Sequence, residues 1–417
     1  MKVAVIGLGR VGLPFACVLA NSIDGKVYGV DKNKQLIENL IKGVLPFEEP
    51  GLKEELEKAR LASKIHFTTS YREACKESDV FFINVNTPVN SDMRPDLSNL
   101  TAALEELCQN IQKNSTIIVR STLPIGTMEE IVIPLVRRLT KYDVDVLYSP
   151  ERLLVGNAIR ELRELPEIVG CDEKSSVEIY RRIVKSINEK KELLVTDYKT
   201  AEAAKLVLNA YRYAKFAISN ELVCQMSRFG INAKEVLKIA RYKYKRGDMP
   251  SPGLVGGPCL FKDSQFLVQK LGSLPIIEAA LRVNEELPKR IASDIARISS
   301  SLEGKTVGIL GVTYKADVDD ERNTPVSKLI KSLLEMRVER ITIHDPHVKN
   351  TSTLEEALKC DIVIIAIGHS EFRDIPLKSF RRGCILYDVW GIFYDKRRDL
   401  ERLGVDYHFL GEPIKKR

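Results

Sequence analysis

The sequence predicts an α/β protein in which two Rossmann-like, doubly wound domains are joined by a helical domain with one long central helix. Three observations carry this prediction. Short β-branched runs alternate with amphipathic segments in the first half, one helical pattern in the middle continues without interruption, and the opening pattern returns near the end. A length of 417 residues suits several domains, and we predict boundaries at residues 1–196, 197–302 and 303–417.

The first domain is predicted from short apolar runs that are bounded by turn residues. They lie at residues 3–6, 27–30, 80–83, 116–119 and 144–147. Such runs are typical of strands that are buried on both faces of a parallel sheet. Amphipathic segments between them, for example 34–42 and 97–112, predict the intervening helices.

The long central helix is predicted from about residue 200 to 229, because this segment has no Pro or Gly before Gly230. At 1.5 Å per residue it would extend roughly 40 Å. A helix of that length outruns one domain, so we expect it to link two domains and to offer a face for a homodimer. Asn232 and Glu235 predict a capping box for a following short helix, with a loop to about residue 258 and further helices to about 302.

The third domain is predicted from an internal repeat. Residues 306–311, 341–345 and 356–363 resemble residues 3–7, 27–31 and 73–80. The first turn of the repeat has Gly308 and Gly311 but lacks the glycine spacing that a pyrophosphate needs. The repeat is therefore either a structural copy or a site for a different nucleotide, and Lys315 with the charged segment 319–322 favours the second interpretation.

Composition excludes several classes of protein. With 44% hydrophobic and 29% charged residues the chain is able to bury a core. A net charge of +7 is too dilute for a nucleic-acid partner, and no apolar run is long enough to span a membrane. The eight cysteines have no disulfide or zinc spacing, which predicts reduced thiols in the cytoplasm, and the five histidines form no motif, so we predict no metal site.

A dinucleotide site is predicted at the first strand–helix turn. Gly7-Leu8-Gly9-Arg10-Val11-Gly12 follows a strand and opens a helix, and Asp31 ends the next strand. The glycines permit a tight turn, close approach of a pyrophosphate and helix packing, while the acid takes the ribose hydroxyls and repels a 2′-phosphate. This context predicts NAD rather than NADP; a glycine-rich turn without a cofactor is the alternative.

A reactive thiol is predicted at Cys259. It follows Gly256-Gly257-Pro258 and is expected in the first turn of a helix, where the helix dipole and N–H groups stabilise a thiolate. Asp263 lies one helical turn further on the same face, and Lys262 adds a positive charge. The other cysteines lie in apolar surroundings and are predicted to be structural.

Three further places carry polar residues. Lys205 and Asn209 are spaced to project from one face of the long helix, although a solvated lysine is the simpler alternative. Segments 120–127 and 148–152 follow the fourth and fifth predicted strands, and ligands in open α/β sheets bind at the carboxyl ends of strands.

Together these motifs resemble the UDP-glucose/GDP-mannose dehydrogenase family over essentially the whole chain. The matching segments, in chain order, are 7–14, 85–88, 121–127, 149–151, Lys205 with Asn209, 256–259 with 262–263, and 320–325. The resemblance implies an N-terminal NAD domain, a helical dimerisation region and a C-terminal domain that holds the nucleotide of a UDP-sugar substrate.

The resemblance also implies a reaction, namely a four-electron oxidation of a sugar C6 alcohol to a carboxylate with two NAD+. Cys259 would form a thiohemiacetal and then a thioester that water hydrolyses. The implied catalytic residues are Cys259, Lys205, Asn209, Asp263, Thr122 and Glu151. The implied NAD contacts are Gly7, Gly9, Arg10, Val11, Gly12, Asp31, Thr87, Thr122, Lys262 and Arg322. The implied substrate contacts are Glu151, Arg152, Lys205, Asn209, Arg246, Gly256, Gly257 and Lys315.

One departure bears on the sugar. Val155 stands where many UDP-glucose dehydrogenases have a second Glu, and segment 150–157 resembles the branch that acts on UDP-N-acetylhexosamines. UDP-N-acetylmannosamine or UDP-N-acetylglucosamine is therefore the expected substrate, with UDP-glucose as the alternative. Two other classes of protein are alternatives. A two-electron β-hydroxyacid-type dehydrogenase would need no thiol, and a nucleotide-sugar binding protein without catalysis would need neither Cys259 nor Lys205.

Overall fold

The computed structural model describes residues 1–90, 92–172 and 177–413. The chain divides into two compact units, residues 1–208 with 265–272 and residues 209–264 with 273–417. Each unit has its own sheet, which confirms the predicted α/β class with two Rossmann-like domains. The three predicted domain boundaries are not tested by this division and stay a prediction.

The first unit begins with alternating strands and helices. In chain order these are β1 (Lys2–Ile6), α1 (Gly12–Ser22), β2 (Lys26–Val30), α2 (Lys34–Ile41), α3 (Leu52–Leu61), β3 (Ile65–Thr68), α4 (Tyr71–Glu77), β4 (Val80–Ile83), α5 (Ser98–Asn110), β5 (Thr116–Val119), α6 (Ile133–Leu139), β6 (Asp145–Tyr148), α7 (Ala158–Glu164), β7 (Glu167–Gly170), α8 (Glu178–Ile187) and β8 (Leu193–Thr196). The strand order is β3-β2-β1-β4-β5-β6-β7-β8. Neighbouring strands are parallel except β6 and β7, which are antiparallel.

The centre of this sheet is apolar on both faces. On β1, Val3 and Val5 belong to one buried cluster, while Ala4 and Ile6 belong to a second cluster on the opposite face. Successive side chains of a strand point to opposite faces, so a continuous apolar run is what a sheet covered on both sides requires.

The helical segments follow. They are α9 (Tyr198–Arg228), α10 (Ala233–Arg241), α11 (Leu260–Leu271) and α12 (Pro275–Ser299). The predicted long helix is confirmed as α9, whose 31 residues extend about 46 Å at 1.5 Å each. Only half of the predicted capping box is confirmed. Asn232 caps α10 by accepting the N–H of Glu235 at 3.3 Å, but the Glu235 carboxylate accepts the hydroxyl of Tyr394 at 2.9 Å. No helix of the described residues is both long enough and apolar enough to cross a membrane.

The second unit contains the repeated sheet. Its elements are β9 (Thr306–Leu310), α13 (Val326–Glu335), β10 (Arg340–His344), α14 (Leu354–Leu358), β11 (Ile362–Ile365), β12 (Ile385–Asp388), α15 (Arg397–Arg402) and β13 (Asp406–Phe409). The strands are parallel in the order β10-β9-β11-β12-β13. The predicted internal repeat is therefore a second Rossmann-like sheet.

Candidate active site

The glycine loop between β1 and α1 has the shape that a dinucleotide needs. A Cβ atom on Gly12 would lie 1.9 Å from the carbonyl oxygen of Gly7, so only glycine permits this packing. A Cβ atom on Gly9 would meet nothing within 4 Å, which leaves open space above the loop. Val11 directly precedes the helix, and the Arg10 guanidinium lies 4.9 Å from the centre of the Phe47 ring. The residues present fit an NAD pyrophosphate at the helix N-terminus.

Asp31 lies directly after β2 beside this loop. Its carboxylate oxygens accept the backbone N–H groups of Leu8 and Asn33, each at 2.9 Å. These bonds fix the carboxylate next to the glycine loop. An ionised carboxylate in this position accepts ribose hydroxyls and repels a 2′-phosphate.

The loops after β4 and β5 are tied to each other. Thr87 Oγ1 donates to the carbonyl of Thr122 at 2.6 Å, and Ser121 Oγ donates to the carbonyl of Val85 at 2.7 Å. Thr87 and Ser121 are buried, whereas Thr122 is half-buried. The structure therefore brings together Thr87 and Thr122, which sequence analysis assigned to the cofactor site.

Glu202 is a buried carboxylate that sequence analysis missed. It lies on α9, three residues before Lys205, and accepts the backbone N–H groups of Gly126 and Met128, the latter at 2.8 Å. Burial raises the pKa of Glu202 to about 7, although the two N–H groups act in the opposite direction. The carboxylate anchors the loop after β5 to the part of α9 that carries Lys205. Only its position on the same helix face as Lys205 signalled this role.

We expect Glu202→Gln to flatten the pH dependence of stability between about pH 5 and 7. Because the folded-state pKa lies above the ordinary value of 4.5, the folded protein binds more protons in this window. The free energy of unfolding of the native protein therefore falls as pH rises, and glutamine does not titrate. Urea denaturation at several pH values measures the slope.

The matched control for this measurement is Glu77→Gln. Glu77 forms an ion pair with Lys2 at 2.7 Å, which holds its pKa below the ordinary value of 4.5. Its substitution should leave the slope between pH 5 and 7 unchanged. Equal slopes for Glu202→Gln and the native protein would contradict the role of Glu202.

Glu151 belongs to a buried ion network around Arg120. The fully buried Arg120 guanidinium donates to Glu151 Oε2, to Glu167 Oε2 at 3.2 Å and to the Tyr180 hydroxyl at 2.9 Å. Glu151 Oε1 accepts the N–H groups of Arg152 and Leu153 at 2.7 and 3.1 Å. Both oxygens of Glu151 are thus engaged in holding the loop after β6.

Arg152 is likewise engaged within this unit, because its guanidinium donates to the carbonyl of Pro166. The substrate roles assigned to Glu151 and Arg152 stay predictions. The role of Arg120 in holding Glu151 and Glu167 was not predicted from the sequence. The one feature that could have indicated it is an arginine directly after an apolar strand.

Cys259 directly precedes α11 and is exposed. Its carbonyl accepts the N–H of Asp263 at 2.9 Å, so the thiol lies one residue before the first turn in which it was predicted. Gly257 has a φ of +93° and a Cβ atom there would come within 2.5 Å of the Tyr314 ring. Its N–H donates to the carbonyl of Asn323 at 2.9 Å. This packing fixes the loop that presents the thiol.

Asp263 contacts two other predicted site residues, Asn209 and Lys262. Its carboxylate is fully buried; Oδ2 accepts the side-chain amide of Asn209 at 2.6 Å, and Oδ1 lies 3.0 Å from Lys262 Nζ. Asn209 is buried on α9, and Lys205 is buried on the same helix one turn earlier. The amide of Asn209, the carboxylate of Asp263 and the ammonium group of Lys262 are therefore neighbours.

Arg322 lies near the thiol. Its Nε and Nη2 atoms donate to the two oxygens of Asp320 at 2.9 and 2.7 Å. The Asp320 carboxylate raises the pKa of Arg322, and the charge of Cys259 adds to this increase. A cation within electrostatic range of a thiol favours the thiolate. Arg322 thus lies within electrostatic range of Cys259, and its role at NAD stays a prediction.

Lys315 and Arg246, two predicted substrate contacts, also belong to the second unit. The carbonyl of Lys315 accepts the hydroxyl of Thr313 at 2.9 Å. Arg246 is exposed and its guanidinium lies 5.1 Å from the centre of the Tyr244 ring. The roles of both residues stay predictions.

A dinucleotide loop with an acidic strand end, and an exposed thiol at a helix start one turn before a buried carboxylate, are features of an NAD-dependent dehydrogenase. The chain belongs to the UDP-glucose/GDP-mannose dehydrogenase family. Models of its NAD binding domain, central domain and UDP binding domain match residues 1–188, 199–286 and 308–395. The predicted family, enzyme class and NAD cofactor are thereby confirmed.

Relatives of known name match along nearly the whole chain. A UDP-N-acetyl-D-mannosamine dehydrogenase of Methanococcus maripaludis (strain C7) is 34% identical over 397 residues, which cover 92% of this chain and 90% of the relative. The structure of a UDP-D-ManNAc dehydrogenase from Pyrococcus horikoshii is 28% identical, with a TM-score of 0.88 and 99% coverage of both chains. That of a UDP-glucose dehydrogenase from Pyrobaculum islandicum is 26% identical, with a TM-score of 0.87, 99% coverage of this chain and 98% of the other.

Proposed function

We propose that the protein oxidises the C6 alcohol of UDP-N-acetylmannosamine to a carboxylate through a covalent intermediate on Cys259. The observation that carries this proposal is the exposed thiol at the start of α11, next to a buried Asp263 that bonds Asn209 and contacts Lys262. The names of the Methanococcus and Pyrococcus relatives support the mannosamine sugar. UDP-N-acetylglucosamine and then UDP-glucose are the alternative substrates.

Bound NAD+ supplies the acceptor for the hydride that leaves C6 in each of the two oxidations. Gly7, Gly9 and Gly12 with the start of α1 would hold its pyrophosphate, and Asp31 its ribose. Thr87 donates to the backbone carbonyl of Thr122 and would help to order the cofactor site.

Cys259 forms the covalent intermediates. The first oxidation gives a C6 aldehyde, and the Cys259 thiolate attacks this carbon to form a thiohemiacetal. Loss of a second hydride from C6, together with the proton of the thiohemiacetal hydroxyl, leaves a thioester. Water then attacks the thioester carbon, the C–S bond breaks, and the carboxylate is released as the thiolate re-forms.

The surrounding residues stabilise charge and move protons. Lys205 and Asn209 bind the C6 oxygen, where negative charge develops in each step. Asp263 accepts the proton of the attacking water, and its bond to Asn209 orients the amide. Arg322 favours the thiolate form of Cys259.

A panel of nucleotide sugars tests the proposed substrate. We expect NAD+ reduction with the highest kcat/KM for UDP-N-acetylmannosamine, lower values for UDP-N-acetylglucosamine and UDP-glucose, and none for GDP-mannose. A higher kcat/KM for UDP-glucose than for either N-acetylhexosamine would reject the proposed sugar while keeping the reaction class.

Cofactor preference follows from Asp31. We expect a higher kcat/KM with NAD+ than with NADP+, and Asp31→Asn should shift this ratio toward NADP+ by about tenfold or more, because the carboxylate no longer repels the 2′-phosphate. Asparagine retains an oxygen acceptor for the N–H of Leu8. Asp24→Asn, at an exposed position of the same unit, is the control. Equal values for the two cofactors in the native protein would remove Asp31 from this role.

We further propose a homodimer that assembles through α9. Exposed apolar side chains recur along this helix, at Val207, Leu208, Tyr211, Ile218 and Leu222. Exposed apolar patches of this kind mark interfaces. A solution mass of one 47.0 kDa chain would contradict the dimer.

The cytoplasm is the compartment that we propose, since the cysteines are all free thiols.

A further inference from the structure

Four side chains converge in the second unit, at the carboxyl end of its sheet. Asp317, His347, His369 and Glu371 each place one nitrogen or oxygen atom within 4.8 Å of those of the others. They lie in the loops that follow β9, β10 and β11, and β9 is the strand from which the sheet extends in both directions. Ligands in open α/β sheets bind at such a reversal of strand order.

His369 is the buried member of this cluster. Its Nε2 atom lies 3.0 Å from Oδ2 of the buried Asp345. An ionised carboxylate only accepts hydrogen bonds, so this contact assigns the proton to Nε2 and leaves the lone pair on Nδ1. Histidines that bind a metal are commonly held in this way, with the other ring nitrogen donating to a carboxylate.

The donor atoms of the other three residues lie within 4.8 Å of a ring nitrogen of His369. Asp317 Oδ1 lies 3.8 Å from this nitrogen, and the rings of His347 and His369 have centres 4.9 Å apart. His347 Nε2 lies 3.1 Å from Glu371 Oε1. Two imidazole nitrogens and two carboxylate oxygens form a donor set that first-row divalent metal ions accept, Zn²⁺ among them.

The cluster is particular to the second sheet. Asp345 Oδ2 accepts the N–H of Val312 at 2.7 Å, as Asp31 accepts the N–H of Leu8 in the first sheet. The other oxygen of Asp345 accepts the N–H of His347, just as the second oxygen of Asp31 accepts the N–H of Asn33 in the first unit. The two sheets share the acid at the strand end, and the second adds two histidines to it.

Although the sequence predicted no metal site, we propose that Asp317, His347, His369 and Glu371 bind one divalent transition-metal ion, for which Zn²⁺ is the best match. The two carboxylates balance the charge of the ion, and the bond between His369 and Asp345 orients the buried ligand. Coordination by Nδ1 replaces the hydrogen bond that it accepts from the Asp317 N–H at 3.0 Å. The ion then links three loops of one sheet and takes no part in the chemistry at Cys259.

Titration of the full chain with Co²⁺ tests the proposal. The protein is prepared without an affinity tag and treated with a chelator, and Co²⁺ is followed by its visible absorption, which is intense in four-coordinate sites. We expect one Co²⁺ per chain, displaced by Zn²⁺. The titration is repeated with Cys259→Ser, because an exposed thiolate is itself a metal ligand, and binding should persist in that variant.

Two variants remove ligands at the exposed side of the cluster and avoid the buried ring. His347→Ala and Glu371→Gln should each weaken Co²⁺ binding by about tenfold or more. His66→Ala is the matched control, since His66 Nε2 lies 3.0 Å from Glu73 Oε1 in a pair of the same kind outside the cluster. It should leave the affinity and the stoichiometry unchanged. Unfolding temperatures in the presence of chelator verify that the variants fold.

Two results would overturn the metal site. One is the absence of Co²⁺ and Zn²⁺ binding at sub-millimolar concentration by a folded native protein. The other is binding that persists unchanged in both His347→Ala and Glu371→Gln. In either case the four side chains would only pack and hydrogen-bond between the loops of the second sheet, without binding a metal.

Discussion

Cys259→Ser is expected to lower kcat by about 10³-fold or more while NAD+ and UDP-sugar still bind. A serine hydroxyl is a far weaker nucleophile than a thiolate at neutral pH, and the cation of Arg322, which favours the thiolate of Cys259, cannot ionise a hydroxyl. The exposed position of the thiol means that the substitution removes no core packing. Steady-state NADH formation gives kcat, and calorimetry gives the two affinities.

Cys171→Ser is the matched control for this substitution, because Cys171 is the other cysteine that is not fully buried. It should retain kcat within about twofold, which is the scale of a surface change. Near-native turnover by Cys259→Ser would contradict the covalent mechanism and leave the family assignment in place.

Arg120→Met is expected to have the largest effect on stability, about 3–5 kcal/mol of the free energy of unfolding. The guanidinium is completely buried, lies 4.3 Å from the centre of the Phe15 ring and bonds both Glu151 and Glu167. Methionine fills the volume but leaves the buried Glu167 and the half-buried Glu151 without their shared cation. Such a loss is a large part of the 5–15 kcal/mol that stabilises a typical domain. Urea denaturation at pH 7 measures it.

The control is Arg160→Met, which removes an exposed ion pair with Glu164 at 3.9 Å. A change within about 0.5 kcal/mol is expected there. A loss below about 1 kcal/mol for Arg120→Met would mean that the network does not hold the loop that carries Glu151.

Acid provides a second measure of the same network. Burial alone would raise the pKa of Glu167, but Arg120 and Lys191 lower it to about 2. The native protein therefore has a stabilising contribution above the ordinary pKa of 4.5 that is lost as pH falls through about 2. With Arg120 absent, the pKa of Glu167 rises, so Arg120→Met should show this acid loss at a higher pH.

The strands that sequence analysis predicted in the first unit are the central ones, and their positions explain why. A strand buried on both faces, such as β4 or β5, needs a continuous apolar run, which is easily recognised. The missed strands are β3 and β8 at the two edges of the sheet and β7 next to β8. Edge strands contact fewer neighbours, and on β8 Leu194 and Val195 are about half exposed.

The candidate site was predictable where its residues are close in sequence. Gly7 to Gly12 and Cys259 to Asp263 are local motifs whose helix termini dictate their chemistry. Arg120, Glu202 and His369 were not predictable because their roles come from partners 24 to 76 residues away in the chain. Burial gives these polar groups their importance, and burial follows from tertiary packing.

The number of NADH molecules formed per molecule of UDP-sugar consumed is the most direct test of the central claim, a four-electron oxidation through Cys259. The measurement runs limiting UDP-N-acetylmannosamine to completion with excess NAD+ and follows NADH by absorbance and the carboxylate product by mass. We expect two NADH and one carboxylate for each sugar. One NADH with an aldehyde or ketone product would contradict it, because oxidation would then stop before the thioester.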